Sequence, residues 1–145
     1  MQVVIRAVTV AAVLALALVF ALPADAAAPN YILISGPRLE HSVLLADWNE
    51  NLDLMSALIG APRAKGRAIQ GLRRRPSFDL AEFWAWTLQT PPTQASEATQ
   101  HGRLFPAHGH KPAVIRLMVN GHSFPRLLPR SVREILARHR VPLRL

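Results

Sequence analysis

Four of the six histidines, His101, His108, His110 and His122, fall within one stretch of the chain, and imidazole is the side chain here best suited to chemistry. Clustered histidines can capture zinc or copper. Spacing restricts that possibility. If residues 103 to 119 form a hairpin turning near Gly109, His108 and His110 sit at its tip and His101 near its base. Seven residues then separate His101 from His108, or ~23 Å at ~3.3 Å each. His122 also lies at the base end. Only His108 and His110 could hold a metal jointly, and two ligands in a glycine turn make a loose site. Polar loop histidines are the preferred account.

A second candidate is the run from Arg63 to Pro76. It carries six positive charges, Arg63, Lys65, Arg67, Arg73, Arg74 and Arg75, with no acid and two glycines. Such a run can neutralise phosphates on nucleic acid, on lipid headgroups or on anionic wall polymers. No aromatic residue lies between Arg63 and Arg75, so base stacking has no platform there. The plain alternative is a solvated loop that keeps the protein soluble.

A third candidate is aromatic. Phe78, Phe83, Trp84 and Trp86 could stack on carbohydrate if exposed, but core packing is the preferred reading in a domain poor in aromatics. Nucleophile and acid–base signatures are missing: there is no G-x-S-x-G elbow, no H-E-x-x-H, no phosphate-binding glycine loop and no cysteine. The pairs Glu50 with Asp53 and Asp79 with Glu82 have spacings that helix starts produce without catalytic purpose. No catalytic residue and no cofactor are assigned.

The elements that position these groups follow from local patterning. Tyr31 to Ile34 is a short apolar strand ended by Ser35-Gly36-Pro37, and Val43 to Ala46 is its hairpin partner. Asp47 to Glu50 matches a capping box that opens a helix. Trp48, Leu52, Met55 and Ile59 share one face of that helix, and Gly60 stops it. Residues 61–77 form the basic loop, expected to be mobile, and 90–100 a polar loop. Phe78 to Trp86 reads as strand or helix, with aromatic content favouring strand. Arg103 to Ala107 and Ala113 to Val119 are strands, and Asn120-Gly121 is a type I′ hairpin signal. His122 to Phe124 returns alongside until Pro125 removes a ladder donor. A last helix opens at Ser131, with Glu134 completing a second capping box, and buries Val132, Ile135 and Leu136. The expected fold class is α+β: a small, mainly antiparallel sheet with two short helices.

Residues 1–26 read as an address. Arg6 precedes sixteen residues, Ala7 to Leu22, with no charge. Pro23 and the Ala24-Asp25-Ala26 exit complete the three parts of a secretory signal peptide. Sixteen helical residues span about 24 Å, short of the ~30 Å hydrocarbon core, so cleavage is preferred over an uncleaved membrane anchor. Residues 27–145 are then a single small domain of 119 residues without disulfides. Its net charge is +8, unevenly spread. Residues 27 to 60 set Arg38 against Glu40, Asp47, Glu50 and Asp53, whereas residues 61 to 145 hold fifteen basic and four acidic groups. A secreted or extracytoplasmic location makes nucleic acid the least favoured partner.

Three segments carry a resemblance: Tyr31-Ile32-Leu33-Ile34-Ser35-Gly36-Pro37, Gln100 to Ala107, and Leu136-Ala137-Arg138-His139 before Val141-Pro142. Together they resemble small exported proteins of GC-rich bacteria that carry no assigned function. The resemblance implies a bacterial envelope protein and no catalytic residue. The leading expectation is a non-enzymatic binding or structural role, contacting anionic lipid or wall polymer through the basic loop. The alternative is a small extracytoplasmic hydrolase or metal-dependent enzyme using the His101 to His110 region.

Overall fold

The computed structural model describes residues 28–84, 90–119 and 122–145. The leader with its cleavage point, Trp86 and the Asn120-Gly121 turn lie outside the described residues.

Period-two alternation in the apolar strands builds a six-stranded antiparallel sheet of order β2-β1-β3-β4-β5-β6. Its strands are β1 (Tyr31–Ser35), β2 (Val43–Leu45), β3 (Phe78–Phe83), β4 (Gln100–Phe105), β5 (Val114–Val119) and β6 (His122–Leu127). One face carries Ile32, Ile34, Leu45, Phe78, Leu80, Leu104, Ile115 and Leu117. Two helices cover it, α1 (Trp48–Gly60) and α2 (Arg130–Arg138). They contribute Leu54, Met55, Leu58, Val132, Ile135 and Leu136 to the same core. The α+β class is thus as expected, and the ambiguous Phe78 segment is a strand.

The other face is covered in two separate places. Tyr31, Leu33, Ala81 and Phe83 pack under Ala95 and Ala98 of the polar loop, which folds into a 3-10 turn over Ala95–Glu97. Phe105 and Val114 pack under Ala64, Ala68 and Leu72 of the basic segment. Between these covers Asp79, Arg103 and Arg116 stand in cross-strand register and exposed.

Several local expectations change. The buried side of α1 is Asn51, Leu54, Met55 and Leu58, while Trp48 and Ile59 are exposed at 40% and 44%. Asn51 belongs inside because its amide donates to the carbonyls of Pro29, Asn30 and Leu45, at 3.1, 3.2 and 3.3 Å. That ties the helix to the β1 and β2 ends. Asp47 caps α1 as expected, its Oδ1 accepting from the amides of Asn49 and Glu50. The second capping box does not form: Pro129 is the N-cap of α2, Ser131 lies inside the first turn, and Glu134 pairs with Arg130. Arg140, at φ 59°, closes α2. The Arg140 and Val141 amides return to the Ala137 and Leu136 carbonyls, at 2.9 and 3.0 Å, in a Schellman arrangement.

Strand β6 runs through Pro125 instead of ending before it. In an antiparallel strand a residue's N–H and C=O point the same way. The Pro125 carbonyl accepts from Ala64 N, on the outer side of β6. Its missing N–H therefore faces away from β5, and no bond of that ladder is lost.

Candidate anion-binding surface

The basic segment leaves the end of α1 and crosses the β6 edge. There the amide of Ala64 donates to Pro125 O at 2.9 Å, and the amide of Leu127 donates to Pro62 O at 3.0 Å. From β6, Arg126 reaches back to the last carbonyls of α1, Ala61 O at 2.8 Å and Ile59 O at 3.2 Å. A cation at that end meets carbonyls that the helix leaves unsatisfied. Arg63 lies over the Phe124 ring, 3.8 Å from its centroid, and the His122 ring stacks with the same ring, centroids 5.8 Å apart. The chain then makes two 3-10 turns, Gly66–Ala68 and Leu72–Arg74, entered at positive φ by Gly66 and Gly71.

Arg75 holds this segment to the sheet. It is 8% exposed, and its guanidinium donates to Ala68 O at 3.0 Å, Pro106 O at 2.6 Å and Pro112 O at 2.9 Å. Burial lowers its pKa from the usual guanidinium range, but arginine remains charged throughout the working range of a protein. Residues 61–77, expected as a basic loop, are bonded to the sheet edge and packed upon it. One expectation is corrected here. Of the six basic groups assigned to binding, Arg75 faces inward, because its planar fork satisfies three carbonyls at once.

The other five are exposed: Arg63, Lys65, Arg67, Arg73 and Arg74. Among the described residues, Lys65, Arg67, Arg73 and Arg74 have no acidic partner. The carboxylates of Glu40, Asp79, Glu134 and Glu50 are engaged elsewhere, by His41, Arg103, Arg130, and Arg138 with His139. The result is a surface of one sign, hydrogen-bonded and packed to the sheet beneath it. It can attract and hold a polyanion electrostatically, without base-like stacking partners in the turns themselves.

The histidines do not converge. His101 is exposed on β4, opposite Ala81. His108 and Lys111 close the β4–β5 loop by exchanging backbone hydrogen bonds at 3.1 and 3.0 Å. The Nδ1 of His108 lies 3.2 Å from the Leu145 carbonyl oxygen. His110 instead lines a groove beside this loop. Among the described residues no group of three His, Asp or Glu side chains is placed to hold a metal ion. The aromatic candidates are likewise internal where described. Phe78 and Phe83 are fully buried, and Trp84 packs on the core with its Nε1 donating to buried Glu82 at 2.9 Å.

One acid–base cluster had no signal in the sequence. Glu50, in the first turn of α1, accepts from Arg138 Nη2 at 2.8 Å and lies 2.7 Å from His139 Nε2, at the end of α2. Hydrogen bonding to Arg138, then to His139, holds its carboxyl below the usual range. The partners stand 88 and 89 positions from Glu50, and only the packing of α1 on α2 unites them. Its chemistry is cohesive: one carboxylate, with both oxygens engaged, joins two helix ends.

No protein-family model, curated protein or solved structure matches the chain. Among the described residues, no helix is long and apolar enough to cross a membrane.

Proposed function

We propose that this chain is an exported bacterial envelope protein with a non-enzymatic binding role, its ligand being a phosphate-bearing anionic lipid surface or wall polymer. The supporting observation is the exposed set Lys65, Arg67, Arg73 and Arg74, free of acidic partners among the described residues and braced from beneath by buried Arg75. Bracing matters because a fixed cationic surface loses less conformational entropy on binding than a floppy one. The segment also belongs to the strongly basic portion of the sequence, residues 61–145, where long-range attraction adds to local contact. The Ala7 to Leu22 leader supports an envelope location, where anionic lipids and polymers are abundant.

The test is co-sedimentation of purified protein with phosphatidylglycerol-containing vesicles or isolated wall polymer. Near a membrane surface each Lys or Arg contributes about 1 kcal/mol. Replacing Arg73 and Arg74 by serine should weaken binding by about 2 kcal/mol, roughly 30-fold. Because Arg75 remains, the fold should be intact. Binding to neutral phosphatidylcholine vesicles should be weak. Equal binding of both proteins to anionic vesicles would overturn the assignment.

A further inference from the structure

We propose that a groove beside the basic surface is a separate site for a small amphipathic phosphomonoester, a molecule with one phosphate on an apolar stem. The groove has a volume of about 650 Å³ and is walled by the β4–β5 loop, the end of β6, α2 and the C-terminal residues. That size falls among ordinary small-molecule sites. Its lining contains Lys111, Arg133, Arg144 and His110, and no carboxylate side chain.

The cations come from three different parts of the fold, so a single run of sequence does not account for their meeting. Arg133 projects from α2, while backbone pairing fixes Lys111 through His108. Arg144 is placed by a parallel bridge to Ala107, with Ala107 N donating to Leu143 O at 2.8 Å and Leu145 N donating to Ala107 O at 3.0 Å. The Lys111 ammonium donates one hydrogen bond to Gln70 O at 2.9 Å, and it has two further N–H donors. The side chains of Arg133 and Arg144 are exposed and have no acidic partner among the described residues.

Charge and shape select the ligand class. Three permanently positive groups exceed what a monoanion neutralises, whereas a phosphomonoester carries nearly two negative charges at neutral pH. Two guanidinium forks match phosphate oxygens, and the ammonium acts as a point charge. The remaining lining includes Leu128 and Leu143, which would exclude water from an apolar stem but offer nothing to a bare ion. This site is independent of the proposed function, since none of the exposed arginines assigned to the basic surface lines the groove.

The test is isothermal titration with dodecyl phosphate below its micelle concentration, alongside inorganic phosphate and dodecanol. Dodecyl phosphate should bind, and each of the other two probes should bind about tenfold or more weakly, since each lacks one half of the recognition. Arg133→Ser/Arg144→Ser should lose about tenfold or more in dodecyl phosphate affinity, while Arg133→Lys/Arg144→Lys keeps most of it and verifies that the groove is intact. Arg73→Ser/Arg74→Ser should leave this affinity unchanged and lose vesicle binding; Arg133→Ser/Arg144→Ser should do the reverse. Absence of dodecyl phosphate binding would overturn the proposal. So would an unaltered affinity in Arg133→Ser/Arg144→Ser, or inorganic phosphate or dodecanol binding as tightly as the amphiphile.

Discussion

Replacing Arg75 by serine should destabilise the protein far more than replacing either neighbouring arginine. The three adjacent residues are chemically identical in the sequence, yet Arg75 is 8% exposed while Arg73 and Arg74 face solvent. Serine at 75 would strip a charged donor from the carbonyls of Ala68, Pro106 and Pro112. A buried acceptor left without its donor costs about 1–3 kcal/mol. Relief of the guanidinium's own desolvation offsets part of that sum, and water reaches the more open Pro112 carbonyl. The net loss should be about 3 kcal/mol, which for a domain of this size lowers Tm by about 10 °C. Urea unfolding followed by tryptophan fluorescence measures it directly. Arg73→Ser and Arg74→Ser should stay within about 0.5 kcal/mol of the parent, as surface changes do. Arg75→Lys should fall between, because a single ammonium cannot reproduce a planar fork that meets three carbonyls. If Arg75→Ser lost no more than Arg73→Ser, the anchoring role would be refuted.

Three further outcomes are expected. At Gly102 a Cβ would stand 2.4 Å from Arg116 O and 2.6 Å from Leu117 Cδ2; Gly102→Ala should therefore separate β4 from β5 and cost about 1–3 kcal/mol in urea unfolding. Arg140 holds φ 59°, a region costly for residues with a Cβ, so Arg140→Gly should raise stability by about 0.5–1 kcal/mol, read as a higher urea midpoint. Glu50 has a pKa lowered chiefly by Arg138 and then by His139. A carboxyl lowered on folding stabilises above its unfolded pKa, near 4.5, and loses that contribution as pH falls through the folded value. Glu50→Gln should therefore melt below the parent at pH 6, with the two Tm curves converging as the pH falls below 4.5 and through the lowered folded value; parallel curves across that interval would refute the assignment.

Local signals carried the backbone further than they carried the side chains. Asp47 opened α1 as expected because capping preferences act within a few residues, whereas Gly60 is the last residue of the helix without a positive φ, and Ala61 in extended conformation is its C-cap. The buried face of α1 was misjudged because hydropathy counts apolar residues only. Asn51 is inside through three bonds to backbone carbonyls 6 to 22 positions away, and no local pattern records such partners. The same limit hid Arg75, whose acceptors lie 7, 31 and 37 residues distant. Ser131 and Glu134 had the spacing of a capping box, but the N-cap at Pro129 set α2 two residues earlier, and Glu134 pairs with Arg130. The pair β4 and β5 was legible as a hairpin, and strand length alone sets His101 apart from His108. The groove was not legible, since Lys111, Arg133 and Arg144 meet only after α2 and the chain end have packed.

The central claim is that an exposed cationic surface braced by Arg75 binds anionic envelope components. Its most direct test compares the parent protein with Arg67→Ser/Arg73→Ser/Arg74→Ser on phosphatidylglycerol-containing vesicles over a salt series. Parent binding should be strong at low ionic strength and fall steadily as salt shortens the Debye length. The triple variant, with an unchanged Tm, should bind about 100-fold more weakly at low salt and show a shallower salt dependence. Equal affinity and equal salt dependence in the two proteins would contradict the claim.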